Sequence, residues 1–212
     1  MMSQDTRQFE TAAASKPEPH EAIYELSSIL ERLDLTKLFP ESRPLEVELG
    51  SGDGSFLVEY AKRHVDRNFL GVERLLGRIR KLGRKSKRAE LINFRAIRIE
   101  STYLLEFLLP KKSVSALHIY FPDPWPKRKH KRHRLINERF QVVASQALAP
   151  GGRIYLRTDH PEYYAQMLQV FQPCHLFTPV ETPLDLAEIL TDFERDFQAQ
   201  GIATLRAAYA LV

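Results

Sequence analysis

Glu46-Val47-Glu48-Leu49-Gly50-Ser51-Gly52-Asp53-Gly54 is the stretch on which the fold turns. Leu45, Val47 and Leu49 supply the apolar side chains of a short strand, and three glycines then alternate with small or polar residues. Glycine removes Cβ atoms, so backbone can lie close to a ligand and adopt φ > 0. Phe56, Leu57, Tyr60 and Ala61 follow at helical spacing, so the turn opens a helix whose free N–H groups face the same place.

Outward from this turn, strand and helix patterns alternate. Apolar runs predict strands near 45–49, 68–72, 92–98, 114–121 and Arg153–Thr158, the last entered through a Pro150-Gly151-Gly152 turn. Helical spacing predicts helices at Ala22–Phe39, 55–64, 75–87, 102–108, Leu135–Leu148 and Glu162–Phe171, with a tail of helix Asp192–Ala199 and strand Thr204–Leu211. The expected class is therefore α/β: a mostly parallel sheet with helices on both faces and ligand sites at the strands' C-terminal ends.

The sign of the side chains then narrows the ligand. A pyrophosphate tolerates acid poorly, yet Glu48 enters the glycine turn and Asp53 sits inside it. After the next strand comes Glu73, about 20 residues past the glycines, where a carboxylate can accept from both ribose hydroxyls. A nucleoside with a cationic tail suits such a site, and S-adenosylmethionine is one. For Asp53, a ligand role and a solvated turn residue stand level.

The strand Ala116–Phe121 ends in Pro122-Asp123-Pro124-Trp125-Pro126. Two prolines limit the backbone around Asp123, so its carboxylate is fixed where it can accept from a planar base. Trp125 offers either a stacking face or a lid on the core. Lys127-Arg128-Lys129-His130-Lys131-Arg132-His133-Arg134 follows at once, and a second basic stretch runs from Arg78 to Arg88 on a helix. Charge at this density neutralises phosphates when it does not simply face solvent. No Cys or carboxylate cluster accompanies His130 and His133, so no metal site is expected.

The chain of 212 residues with net charge +4 is long enough for one domain with ample core. No apolar run is long enough to span a bilayer, and the first residues lack a basic-then-apolar leader. The single cysteine, Cys174, has no internal partner for a disulfide, as in cytoplasmic proteins. Residues 1–20 are polar and proline-punctuated and read as a flexible segment, leaving 21–212 as the domain. No obligate protein partner is visible, and monomer and homodimer both remain open.

On these residues the chain resembles the bacterial-type tRNA (guanine-N7)-methyltransferase family. The resemblance runs from about Leu45 to Tyr209, and Phe121-Pro122-Asp123-Pro124-Trp125-Pro126-Lys127 and Thr191-Asp192-Phe193-Glu194 are its most specific elements. It implies a single-domain Rossmann-like class I methyltransferase fold, S-adenosylmethionine as donor, and guanine N7 in the tRNA variable loop (position 46) as acceptor, in the cytoplasm. It also implies that Glu48, Gly50, Glu73, Glu100, Ser101 and Asp123 bind the cofactor, with Asp123 catalytic. Lys127, Asp159, Thr191, Asp192, Phe193 and Glu194 fall on substrate-contact positions. Relatives often carry Asp or Asn where Glu100 stands, so a strand-end surface acid is the competing reading there. For Asp159 and Glu194 the competing readings are a helix N-cap and a first-turn acid.

Three rivals fit part of the pattern. An adenine amino-methyltransferase shares an acid–proline–aromatic motif but not the Lys/Arg tail or Thr191–Glu194. A nicotinamide-dependent dehydrogenase shares the glycines and ribose acid but not the acids around the loop. A non-enzymatic RNA-binding module accounts for the basic runs and leaves the glycine turn without purpose.

Overall fold

The computed structural model describes residues 21–172 and 175–212, so the segment expected to be flexible and Cys174 lie outside the described residues. Among the described residues eight strands form one sheet: β1 (Ile23–Tyr24), β2 (Leu45–Leu49), β3 (Asn68–Val72), β4 (Phe94–Ile97), β5 (Val114–Tyr120), β6 (Leu148–Thr158), β7 (Phe177–Pro179) and β8 (Leu205–Leu211). Their order is β1-β4-β3-β2-β5-β6-β8-β7. Pairs from β1 through β6 are parallel, and β8 runs antiparallel to both β6 and β7.

The helices are α1 (Leu35–Leu38), α2 (Ser55–Arg63), α3 (Leu76–Arg88), α4 (Ser101–Tyr103), α5 (Glu138–Ala147), α6 (Pro161–Phe171), α7 (Leu184–Glu188) and α8 (Asp192–Ala199). Every residue of β2, β3 and β4 is buried, because side chains on both faces of a parallel sheet meet helices. On one face Val47, Leu49, Leu70 and Leu117 pack with Phe140 of α5 and Met167 of α6. On the other, Phe69, Phe94 and Ala96 pack with Leu57 of α2 and Leu82 of α3. Strand β2 lies between β3 and β5, so connections leave it in opposite directions and a crevice opens at its C-terminal end.

Several local expectations are corrected. Ala22–Phe39 is not one helix: β1 pairs with β4, and only Leu35–Leu38 is helical, capped by Asp34, which accepts from Thr36 N–H at 3.1 Å. Ile29 and Leu30 are exposed, so no continuous apolar stripe supports a helix, and the Ser28 hydroxyl takes the Leu30 N–H locally. Pro150-Gly151-Gly152 is part of β6 rather than a turn before it, within an irregular register opposite Val114–Ala116. The strand ending at 121 stops instead at Tyr120, because Phe121 takes φ +51°. Strand β7, helix α7 and a 3-10 turn over Arg128–His133 were not anticipated. Among the described residues no helix is long and apolar enough to cross a membrane.

Candidate active site

The crevice beside β2 holds two adjoining cavities. Gly50, Glu73, Glu100, Ser101 and Asp123 line the larger, of about 340 Å³, together with Trp125. Glu48, Gly50, Thr191, Asp192 and Phe193 line the smaller, and Tyr120 and Phe121 wall both. Residues far apart in sequence thus meet where β2, β3 and β5 end.

The glycine turn is shaped by what surrounds it. Gly54 starts α2 at φ +79°, and a Cβ there would lie 1.9 Å from Leu82 Cδ1, so only glycine fits. Gly50, at φ +86°, has open space where a Cβ would be, on the wall shared by both cavities. Glu73 is buried and ties the turn to β3: Gly52 N–H donates to its Oε2 (3.1 Å) and Leu75 N–H to its Oε1 (2.8 Å). Each carboxylate oxygen accepts more than one hydrogen bond, so both keep capacity for ribose hydroxyls.

Glu48 is buried, and among the described residues its Oε2 has no hydrogen-bond partner. Burial pushes its carboxyl up to about 8, against the pull of Ser51 and Arg157, and the charges of Asp53 and Glu73 push the same way. An orphaned acid against a cavity wall suits a cationic ligand, which would supply the missing partner. Asp53 is used internally instead. Lys85 donates to it at 2.6 Å and the Ser55 hydroxyl at 2.7 Å, and these bonds outweigh burial and hold it at about 2. The same Ser55 hydroxyl oxygen lies 2.5 Å from Asp192 Oδ2, so the two carboxylates share its one proton and α2 is joined to α8.

Asp123 is exposed at the end of β5 on a bent loop. Phe121 and Trp125 both have positive φ, +51° and +42°, although neither is glycine. Such backbone costs on the order of 1–3 kcal/mol per residue and persists only where the surroundings enforce it. Here Phe121 N–H donates to Arg157 O (2.8 Å) and its ring packs on Phe197 at 5.5 Å. Trp125 packs against both His133 (5.3 Å) and His130 (5.8 Å), and buried Arg134 donates to Pro124 O at 2.7 Å. Trp125 is thus a cavity wall rather than a lid on the core.

Glu100 caps α4, accepting from Thr102 N–H (2.9 Å) and Tyr103 N–H (2.8 Å) at the cavity rim. Thr191 and Glu194 form a capping box for α8, with Thr191 Oγ1 accepting from Glu194 N–H at 3.0 Å. Glu194 is fully buried, and Arg157 (2.7 Å), Arg206 (2.9 Å) and Thr191 N–H (2.9 Å) occupy its oxygens. Arg157 foremost holds its carboxyl below the usual value against burial. Glu194 therefore supports the Thr191–Phe193 wall from within, while Asp192 and Phe193 face the cavity. Lys127 and Asp159 line neither cavity, and the cap of α6 is His160, not Asp159.

Sequence reasoning missed the support beneath these walls. The Tyr120 hydroxyl meets His118 Nδ1 at 2.9 Å, His118 Nε2 meets Glu46 at 2.7 Å, and Arg67 donates to Glu46 at 2.6 Å. Arg157 lies over the Tyr120 ring at 4.2 Å. Charged residues inside strands were the available signal, since burial there demands a partner. Arg74, Arg78 and His133 also line the larger cavity.

A mostly parallel sheet with a glycine turn at its central strand and acids at neighbouring strand ends is a Rossmann-like methyltransferase fold. Residues 42–207 match the family model described as "Putative methyltransferase". The tRNA (guanine-N(7)-)-methyltransferase of Syntrophotalea carbinolica is 34% identical over 178 residues, 82% of this chain and 77% of the relative. That of Sodalis glossinidius is 32% identical over 174 residues, 80% of this chain and 73% of the relative. In fold, the chain is similar to the 16S rRNA methyltransferase KamB (TM-score 0.61, 15% identity, 84% of this chain and 92% of that one). It is similar also to an Aquifex aeolicus SAM-dependent methyltransferase (TM-score 0.55, 11% identity, covering 84% and 87%). The chain belongs to the tRNA (guanine-N7)-methyltransferase family.

Proposed function

We propose that this protein transfers a methyl group from S-adenosylmethionine to N7 of a guanine in the tRNA variable loop. The observation that carries the reading is the convergence of orphaned Glu48, ribose-type Glu73 and proline-pinned Asp123 on adjoining cavities. When bound, S-adenosylmethionine supplies an electrophilic methyl group on a positively charged sulfur, which N7 takes as the carbon–sulfur bond breaks. Glu48 faces the ligand's positive charge, Glu73 takes the ribose hydroxyls, and Gly50 lets the backbone lie close to it. Glu100 and Ser101 border the base.

Guanine N7 has an in-plane lone pair and no proton at neutral pH, so no side chain must remove a proton first. The protein's contribution is alignment, which can supply much of the barrier reduction. Positive charge passes to the guanine, and Asp123 holds the base edge and offsets that charge. Trp125 and Phe193 flank the flat base. Thr191, Asp192 and Glu194 keep the Phe193 wall in place. Lys127 and Asp159 meet the RNA beyond the target base. The reading places the reaction in the cytoplasm, with its tRNA.

Incubation with unmodified tRNA and methyl-labelled donor, followed by digestion to nucleosides, tests this directly. Label in 7-methylguanosine is expected; label in an adenosine derivative, or none, would overturn it.

A further inference from the structure

We infer that the outward face of α3 is a second phosphate-binding surface for the same tRNA, so that the substrate straddles the cavity. The inference rests on the tRNA reading above and names a surface that the cavity does not include.

Helix α3 contains no acidic residue. Its buried stripe is Ile79, Leu82, Gly83 and Ser86, and at about 100° per residue Lys81, Arg84 and Arg88 fall on the opposite side. All three are exposed, as are Arg80 and Lys87 on the flank. Among the described residues none of these five makes an ion pair, whereas Lys85 turns inward to Asp53 and Arg78 approaches Glu73 at 4.0 Å.

Other helices treat exposed cations differently. Glu59 pairs with Lys62 and Arg63 on α2, Glu106 with Arg139 of α5, and Asp192 with Arg195 on α8. Arg80–Arg84 and Arg84–Arg88 are like-charge pairs one turn apart, and each is locally unfavourable. No acid sits in the first turn of α3 to complement the helix dipole. Lys87 and Arg88 suit the dipole in the last turn, but Lys81 and Arg84 in the middle of the helix gain nothing locally, and a polyanion offsets their mutual repulsion.

Position says which polyanion. Arg74, Leu75 and Arg78 line the larger cavity, so the helix starts at the cavity's edge. Its thirteen residues extend roughly 20 Å from there, further than one nucleotide reaches. Gly77, also exposed, has nothing within 4 Å of the Cβ it lacks, so packing does not require glycine there and a backbone can approach closely. The fitting occupant is the phosphate backbone of the tRNA carrying the target guanine.

The test compares the parent with Lys81→Gln/Arg84→Gln/Arg88→Gln, measuring affinity for unmodified tRNA across a salt series. Affinity at about 0.1 M salt should fall roughly tenfold or more, and the log–log salt slope should shrink by roughly 2–3. Turnover at saturating tRNA and affinity for S-adenosylhomocysteine should stay at parental values. Lys81→Arg/Arg84→Lys/Arg88→Lys, which keeps the charge, should restore tRNA binding. Parental affinity and slope in the neutral variant, or no rescue by the charge-preserving one, would overturn the inference. So would unchanged tRNA binding with lost binding to phosphatidylglycerol vesicles, which would mark a membrane-facing surface. A parent that binds tRNA through this face yet forms no 7-methylguanosine would sink the activity and leave the surface standing.

Discussion

Strands β3 and β5 end alike: each delivers an acid to the crevice, and each acid is followed by a strongly basic segment. After β3 come Glu73 and α3; after β5 come Asp123 and Lys127–Arg134. Yet Glu73 is buried and Asp123 exposed, and the cations are disposed in opposite ways. Along α3 an apolar stripe does the packing, so most of the charge points outward. The loop has no aliphatic residue between Pro126 and Leu135, and burial falls on charge itself. Arg134 lies under the loop, bonded to Pro124 O and Gln166 Oε1 (2.5 Å) with Tyr163's ring 4.7 Å away, and Lys131 pairs with Glu162. Charge density alone does not mark a nucleic-acid surface; the apolar residues that accompany it decide which cations are left for a partner.

The comparison breaks most visibly at the two acids. Asp123→Ala should lower methyl-transfer turnover about 10²–10³-fold without changing the melting temperature, since the side chain is exposed. A folded variant that keeps most of its turnover would remove Asp123 from the reaction. Within the loop, Arg134→Ala should cost about 3 kcal/mol in urea unfolding, because a fully buried side chain leaves a cavity and its hydrogen bonds to Pro124 O and Gln166 are lost. Arg132→Ala, exposed in the same run, should stay within about 0.5 kcal/mol; equal losses would erase the distinction between structural and free cations.

Glu73→Ala should weaken S-adenosylhomocysteine binding by about 1.5–3 kcal/mol in calorimetry, with little effect on tRNA affinity. Glu48 gives a pH signature. Its carboxyl ionises near 8 in the fold and near 4.5 when unfolded, so between those values the native state holds the extra proton. Ligand-free stability therefore falls as pH rises through that window, by on the order of a few kcal/mol, and is level above it. Glu48→Gln should flatten this slope; an unchanged profile would place the proton elsewhere. The smallest effect is expected for Lys129→Gln/Arg132→Gln, which should reduce tRNA affinity only a few-fold and the salt slope by no more than about 2. A loss larger than that of the α3 triple would reverse the ranking of the two basic segments.

Much of this is legible in the sequence. Strands with continuous apolar runs, the glycine turn and the helices with a clear stripe fall where spacing predicts, because both sheet faces must be covered. The helix expected over Ala22–Phe39 does not form, since apolar residues at loosely helical intervals do not reveal that Ile29 and Leu30 face solvent. The Thr191–Glu194 motif was legible as a unit, but not that Glu194 turns inward to Arg157 and Arg206.

The sequence by itself determined the α/β class, the glycine turn with its acids, and the family, since these rest on residue type and spacing along the chain. Tertiary structure alone decided how those residues divide the work. Glu48 Oε2 has no partner among the described residues, Asp53 is spent on Lys85, Phe121 and Trp125 are held in left-handed backbone, and Arg134 is buried while Arg84 is not. The physical reason is that hydrogen-bond satisfaction and burial depend on partners distant in sequence, and a linear pattern records which groups are present but not which of them meet.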